Sequence, residues 1–311
     1  MSVPFAEVPF GSVSPPMVAA LAIIAVAYGK RVRALRGTPR AVSRWRQVSF
    51  FSSLFVLVVE PLSPLGATDE SSFVSHMLEH LLIGDLAALL MVLGLTGPVI
   101  QPLLRLRVIA SLRVLAHPGI ALPVWVANLY LWHIPFMFQG ALDHEAIHIF
   151  QHMMFFAVGF NMWMPLFGPL PKPAWFGNIA KLFYVVAVRL GALLLGNVFV
   201  FASRPFYGSY EHATSFWGLS PAADQSTAGA VMMIEGSLIS FGLFAWLFVK
   251  AAREGQESQD LVEMAREHGV ELTPERSARA VAAGTSELLR ERIVAGKDAS
   301  EFASNDQSEH S

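Results

Sequence analysis

The sequence predicts an all-helical, polytopic membrane protein built as a bundle of seven transmembrane helices, and three observations predict it. The 311 residues are 54% hydrophobic and 15% charged, with a mean hydropathy of +0.48, whereas a soluble domain carries about 25% charged residues. Several apolar runs approach or exceed the roughly 20 residues that span a bilayer as a helix. Basic residues occur in alternate loops between these runs, which is the distribution that the positive-inside rule requires.

Length and hydropathy place seven spans. They lie near residues 15–28, 48–66, 75–103, 118–138, 146–167, 179–201 and 228–249. A basic block from Lys30 to Arg46 follows the first span, whereas a signal peptide carries its positive charge before the apolar run. The first span is therefore predicted to be a membrane helix with its N-terminus outside. The same rule places the C-terminus in the cytoplasm, and residues 1–250 form the membrane domain.

Residues 251–311 are predicted to form a separate cytoplasmic tail. From Lys250 onward the chain has 8 basic and 13 acidic residues, a net charge of −5. Short helices are expected at 256–268 and at 274–294, and Thr273 before Pro274 is a typical helix start. The polar end, residues 299–311, is predicted to be disordered.

The histidines carry the clearest chemical signal. The chain has no cysteine, so any metal site must use histidine, methionine and carboxylate ligands. His76 and His80 are four residues apart, and so are His148 and His152. On a helix such residues share a face with Cβ atoms roughly 6 Å apart, which allows two imidazoles to bind one metal ion.

The predicted topology brings these pairs to the same face of the membrane. Both pairs lie at outer helix ends, and His133 lies about one turn from the outer end of the fourth span. A lone histidine at a membrane interface is more often structural, and we interpret His117, His144 and His212 in this way. The candidate metal ligands are His76, His80, His133, His148 and His152.

Other side chains near the same depth could support such a site. Met77 and Met153 neighbour the histidines, and thioether sulfur is a soft ligand suited to Cu(I), although a methionine is more often a packing residue. Glu60 and Glu79 could be ligands themselves or could fix an imidazole tautomer from the second coordination shell. Imidazole suits copper, zinc and iron alike, so the residues leave the metal open, and methionine would favour Cu(I) among them.

A second polar layer is expected near the middle of the bilayer. Asp85, Asn128, Asn161 and Arg189 each lie about 12–16 Å from a span end, at 1.5 Å per residue. Ionisable groups at this depth face the bundle interior and form pairs, so we expect Arg189 to pair with Asp85, assisted by the two asparagines. The layer could join helices together or could form a path for an ion or proton, and we favour the first interpretation.

Several ordered motifs resemble a known family. They are EPLSPLG (60–66), FVSHMLEHLLIGDLAALLMVLG (73–94), HPGIALPVWVANLYLWHIP (117–135), HIFQHMMFFAVGFNMW (148–163) and RPFYGSY (204–210). Together they are similar to the polytopic CtaG family of bacterial cytochrome c oxidase assembly factors, over roughly residues 50–250. The resemblance implies a seven-helix protein of the bacterial inner membrane that handles copper for a haem–copper oxidase. It also carries the family's motif histidines onto the five candidate ligands.

Three functions remain open at this stage. The first is a non-enzymatic assembly factor that passes copper to the catalytic subunit of the oxidase by lateral contact in the lipid bilayer, with no nucleic-acid partner. The second is a membrane oxidoreductase with haem or a metal centre, but bis-histidine haem needs ligands that face each other across the bundle rather than adjacent on one helix. The third is a copper transporter, against which a fixed positive charge at Arg189 counts.

Overall fold

The computed structural model describes residues 13–213 and 215–295, and these ranges are helical with no β-strand. The predicted all-helical class is confirmed. The helices are α1 (Pro15–Ala34), α2 (Arg44–Leu62), α3 (Phe73–Leu81), α4 (Ala88–Gly94), α5 (Gly97–Ile100), α6 (Arg107–Leu112), α7 (Pro118–Trp132), α8 (Pro135–Asp143), α9 (Glu145–Phe167), α10 (Asn178–Phe201), α11 (Gly208–Glu211), α12 (Pro221–Glu267), α13 (Pro274–Ala283) and α14 (Ser286–Val294). A π-helical segment, Leu82–Ala87, joins α3 to α4.

Three helical stretches are long and apolar enough to cross a membrane. They are Phe73–Gly94, Asn178–Phe201 and Pro221–Glu267, and a fourth is added if Ala110–Ala116 and Pro118–Trp132, bent by 77°, count as one span. These stretches support a membrane protein, while seven spans and the orientation of the termini remain predictions. By itself α7 has 15 residues, fewer than the roughly 20 that a spanning helix needs.

Two helices end earlier than the sequence predicts. The third span was expected to reach residue 103, but its helix ends at Gly94 because Leu95 is extended and a short helix begins at Gly97. The fourth was expected to reach residue 138, but α7 ends at Trp132. There Ile134 is extended and Pro135 begins α8, since the residue before a proline is disfavoured in the helical region and proline suits the first helical position.

The chain divides into two compact units, residues 1–240 and 241–311. The predicted helix at 256–268 belongs to the longer α12, and the predicted helix at 274–294 is interrupted by Gly284 with φ +71°. The hydroxyl of Thr273 accepts a hydrogen bond from the Arg276 backbone N–H, as its place before Pro274 indicated. The second unit has its own apolar core of Leu261, Ala265, Ala280, Val281, Leu289 and Ile293. The predicted disordered end, 299–311, lies outside the described residues.

Small residues let neighbouring helices approach the segment from α3 to α4 closely. Ser53 of α2 donates a hydrogen bond to the Ala87 carbonyl at 2.7 Å. On the other side, a Cβ added to Gly159 of α9 would overlap the carbonyl oxygen of Gly84 and lie 2.9 Å from its carbonyl carbon. Such contacts between small residues are typical of helix packing in membranes, and here they fix the position of α9 against α3 and the π segment.

Candidate metal centre

Four side chains bring potential ligand atoms together at one end of these helices. They are Asp69, in the loop between α2 and α3, His76 and Glu79 of α3, and His148 of α9. One ligand atom from each residue lies within 4.8 Å of all the others, and the first three side chains are buried. We refer to Asp69, His76, Glu79 and His148 as the outer site.

Helix periodicity explains why the histidines meet. The rings of His76 and His80 have centroids 4.3 Å apart, and so do those of His148 and His152. This is the shared face that their four-residue spacing predicts. Across the two helices, the rings of His76 and His148 are stacked with centroids 5.3 Å apart. The two pairs therefore form one continuous cluster between α3 and α9.

Carboxylates flank the imidazoles of α9. Nε2 of His148 lies 3.6 Å from Oδ2 of Asp69, and Nε2 of His152 lies 3.7 Å from Oε2 of Glu79. The carboxyl group of Glu60 neighbours that of Glu79.

Asp69 is the one ligand candidate in a loop. Its side chain is only 9% exposed, and this burial raises the pKa of Asp69 to about 6, against the influence of a backbone hydrogen bond from Glu70. A metal ion binds the carboxylate form and would reverse this penalty. The sequence analysis did not include Asp69 among the candidate ligands. Nothing in its local sequence marks Asp69 as a ligand, because its loop reaches the site through tertiary contacts such as the hydrogen bond from Tyr210.

The loop between α10 and α12 and the start of α12 hold this end of the site in place. The hydroxyl of Tyr210 donates a hydrogen bond to the Asp69 carbonyl at 2.6 Å, and burial raises the pKa of the Tyr210 phenol above its usual range. The carboxylate of Asp224 accepts from the backbone N–H of Phe73 at 2.6 Å and from the hydroxyl of Ser72 at 3.0 Å. Asp224 therefore caps α3 from a distant part of the chain.

His133 lies on the other side of His80, away from the outer site. Its ring centroid is 6.3 Å from that of His80. Nδ1 of His133 is 2.7 Å from the Leu129 carbonyl, and Nε2 is 3.5 Å from the sulfur of Met77. Met77 is 1% exposed, whereas Met153 is 64% exposed. This exposure contradicts the supporting role that the sequence analysis assigned to Met153.

The donor atoms of the cluster suit a metal ion. Within the part of the chain that the structure describes, both ring nitrogens of His76 and His80 are buried without a hydrogen-bond partner, and so is Nε2 of His148 and of His152. Buried polar atoms of this kind are rare because each costs free energy. A cation bound by their lone pairs would satisfy them, and two imidazoles with two carboxylates are a common ligand set for divalent metals.

The deeper polar layer contains an ion triad. Arg189 lies 3.8 Å from Asp85, the pair that the sequence predicted, and also 3.8 Å from Glu235. Glu235 was not among the residues that the sequence analysis assigned to this layer. Asn161 donates its hydrogen bond to the Leu115 carbonyl at 2.9 Å instead of assisting the triad, so the prediction for Asn161 is wrong. Asn128 is buried.

A comparison with family models identifies the chain. The model for the family described as cytochrome c oxidase caa3 assembly factor (Caa3_CtaG) matches residues 26–254. Comparisons with curated proteins and with solved structures gave no match. The matched range covers more than half of the chain and includes every residue of the outer site and of the ion triad. The chain therefore belongs to the Caa3_CtaG family of cytochrome c oxidase caa3 assembly factors.

Proposed function

We propose that this chain is a non-enzymatic protein of the bacterial inner membrane that binds copper at the outer site and helps to form the copper centre of a haem–copper oxidase. Membership of an assembly-factor family supports the oxidase as the target. The observation that carries the metal-binding role is the convergence of four ligand atoms, from a loop and two helices, within 4.8 Å.

The donor set of the outer site favours a divalent ion. Two imidazoles and two carboxylates are borderline to hard ligands, and among divalent first-row metals Cu(II) binds such sites most tightly. The soft thioether that would favour Cu(I) is missing from this donor set, because Met153 faces outward. We therefore assign Cu(II) to the outer site in place of the expected Cu(I).

The surroundings of the outer site are suited to exchange. His148 is only partly buried, which leaves one side of the site open. Glu79 has a second neighbour in the carboxyl group of Glu60, with which it could pair when no metal is bound. An assembly factor must release its metal, and ligands with alternative partners lower the barrier to release. Transfer would occur by lateral contact with the catalytic subunit of the oxidase within the bilayer.

The alternative functions receive less support from the geometry. A haem between His80 and His133 would need a pocket of several hundred Å³, whereas the cavity beside these residues has a volume of about 40 Å³. For a transporter, the mid-membrane layer would have to pass a cation beside Arg189. Its positive charge is held between Asp85 and Glu235 and would repel that cation.

The first test is metal binding by the purified protein. The full chain in detergent is stripped with a chelator, loaded with Cu(II) and analysed for bound metal, beside the variants Asp69→Asn and His148→Gln. The control is His144→Gln, which alters an exposed histidine just before α9. We expect each ligand variant to lower Cu(II) affinity by at least about tenfold and the control to bind as the wild type does. Equal affinity in all four proteins would refute the outer site.

The second test concerns the oxidase. In cells that lack this protein, we expect the oxidase subunits to be present but deficient in copper. Wild-type protein and His144→Gln should restore the copper content, and His148→Gln should not. An oxidase with its full copper content in the deletion strain would refute the assembly role, whatever the purified protein binds.

A further inference from the structure

A small cavity lies beside a different face of α3 from the one that faces the outer site. Its volume is about 40 Å³, enough for a single ion with its ligands but not for an organic ligand. The residues that line it include Met77, His80, Asp85, Trp125, His133 and Met232. We call it the inner cavity. Two of its lining residues are histidines and two are methionines, and none of these four belongs to the outer site.

The contact between His133 and Met77 is unusual for a pair of buried side chains. A backbone carbonyl can only accept, so Nδ1 of His133 must carry the proton that is donated to the Leu129 carbonyl at 2.7 Å. Nε2 of the neutral ring then has a free lone pair. It lies 3.5 Å from the thioether sulfur of Met77, which is also an acceptor. A metal-binding histidine typically donates its other N–H to a backbone carbonyl in this way.

The distance between these two acceptors fits a shared ion. With bonds of about 2.0 Å to an imidazole nitrogen and about 2.3 Å to a sulfur atom, the observed separation of 3.5 Å corresponds to an angle of about 109° at the ion. That is the tetrahedral angle. Two acceptors that would otherwise face each other without a proton are therefore placed as two ligands of one tetrahedral ion would be.

Two more donors reach the same cavity. His80 is buried, and neither of its ring nitrogens has a hydrogen-bond partner among the described residues. Its centroid is 6.3 Å from that of His133. Two imidazoles on one tetrahedral ion have centroids about 5 Å apart, since each lies roughly 3 Å from the metal, so a shift of about 1 Å would bring both rings to one ion. Met232 of α12 is also buried and lines the cavity.

We propose that the inner cavity is a second metal site, specific for Cu(I), with Met77, His80, His133 and Met232 as its ligands. Two thioethers and two neutral imidazoles form a soft donor set of the kind that selects Cu(I). All four ligands are uncharged, and the nearby carboxylate of Asp85 is paired with Arg189. A monovalent ion is less costly to bury in such surroundings than a divalent one. The binding of Cu(I) stands by itself, and only its delivery to an oxidase rests on the proposed function.

The test uses the full chain in detergent under anaerobic conditions. Cu(I) is titrated in competition with a chromophoric Cu(I) chelator, and the bound copper is examined by X-ray absorption for sulfur neighbours. The variants are Met77→Leu, Met232→Leu and their combination, and the control is Met153→Leu, at a methionine that is 64% exposed. Leucine is close to methionine in volume, and the melting temperature of each metal-free protein shows whether it is folded.

We expect sulfur neighbours around Cu(I) in the wild type and in the control. The double variant should lose them and bind Cu(I) at least about tenfold more weakly. Copper without sulfur neighbours in the wild type, or unchanged affinity and sulfur signal in Met77→Leu, would overturn the proposal. If the double variant does not fold, the same two readouts on each single variant decide the matter.

The variant His148→Gln separates this proposal from the proposed function. If it loses Cu(II) but keeps Cu(I) with sulfur neighbours, both sites exist. If it keeps Cu(II) while the methionine variants lose Cu(I), the outer site is wrong and the inner site stands. If it loses Cu(II) while the methionine variants keep Cu(I), the inner site is wrong and the outer site stands.

Discussion

The contact between Gly84 and Gly159 provides the sharpest test of how the fold builds the outer site. Gly159 lies on α9, within the same helix as His148 and His152, and Gly84 lies in the π segment that follows His76 and His80. A methyl group at residue 159 would overlap the Gly84 carbonyl oxygen. We therefore expect Gly159→Ala to push α9 away from α3.

The size of this displacement follows from the backbone geometry. The added Cβ would lie 2.9 Å from the Gly84 carbonyl carbon, and an ordinary contact begins at 3.4 Å, so that atom alone requires a separation of 0.5 Å and the oxygen requires more. Because both obstructing atoms are backbone, a rotamer change cannot relieve the overlap. Overpacking of this kind costs about 1–3 kcal/mol or more. A metal site tolerates ligand shifts of only about 0.2 Å.

We expect Gly159→Ala to lower the melting temperature of the metal-free protein in detergent and to weaken Cu(II) binding, although it removes no ligand. Two controls are available. Gly140→Ala, on α8, adds a methyl group with no atom within 4 Å, and Gly84→Ala adds one at 3.4 Å from the Phe155 carbonyl oxygen. Both should be close to the wild type. A Gly159→Ala protein with wild-type melting and metal content would refute this account of the helix contact.

Three further predictions concern the groups that hold the fold together. Asp224→Ala leaves the buried N–H of Phe73 without its acceptor and should reduce the free energy of unfolding by about 1–3 kcal/mol, measured by thermal unfolding; an unchanged melting temperature would contradict the cap. Arg189→Met leaves the carboxylates of Asp85 and Glu235 without a cation and should reduce the free energy of unfolding by about 3–5 kcal/mol. Adding Asp85→Asn to this variant should restore part of the lost free energy, and no recovery would argue against the ion pair. Burial raises the pKa of Tyr210, so the unfolded chain ionises this phenol first and its contribution to stability falls as the pH rises above about 10. The melting temperature should therefore fall less steeply with rising alkaline pH in Tyr210→Phe than in the wild type. Parallel plots of melting temperature against pH for the two proteins would contradict the raised pKa of Tyr210.

The sequence predicted the helical class and the meeting of the two histidine pairs, because both depend on local periodicity. Apolar runs identify helices, and a four-residue spacing places two side chains on one helical face. That the pairs face each other also required α9 to pack against α3, and the predicted topology placed both pairs at the same end. The early helix ends at Gly94 and Trp132 arise from local backbone conformation at Leu95 and Ile134, which hydropathy does not detect.

The remaining ligands depend on tertiary contacts that a sequence pattern does not contain. Asp69 reaches the outer site only because its loop folds back and Tyr210, far along the chain, holds its carbonyl. Met232 reaches the inner cavity from α12, and no local signal distinguishes it from other methionines of that helix. The opposite error, at Met153, has the same origin, because proximity to His152 in sequence does not determine which side of α9 a residue occupies.

The arrangement of α3 explains how one short helix can serve two sites with different chemistry. At about 100° per residue, Glu79 lies about 60° to one side of His76, whereas His80 and Met77 lie about 40° and 100° to the other side. The carboxylate side of α3 therefore faces Asp69 and His148, and the thioether side faces the inner cavity. Removing a single ligand should thus affect one site, while a change that rotates or displaces α3 should affect both. If Asp224→Ala loses both Cu(II) and Cu(I) although every ligand is still present, both sites depend on the position of α3.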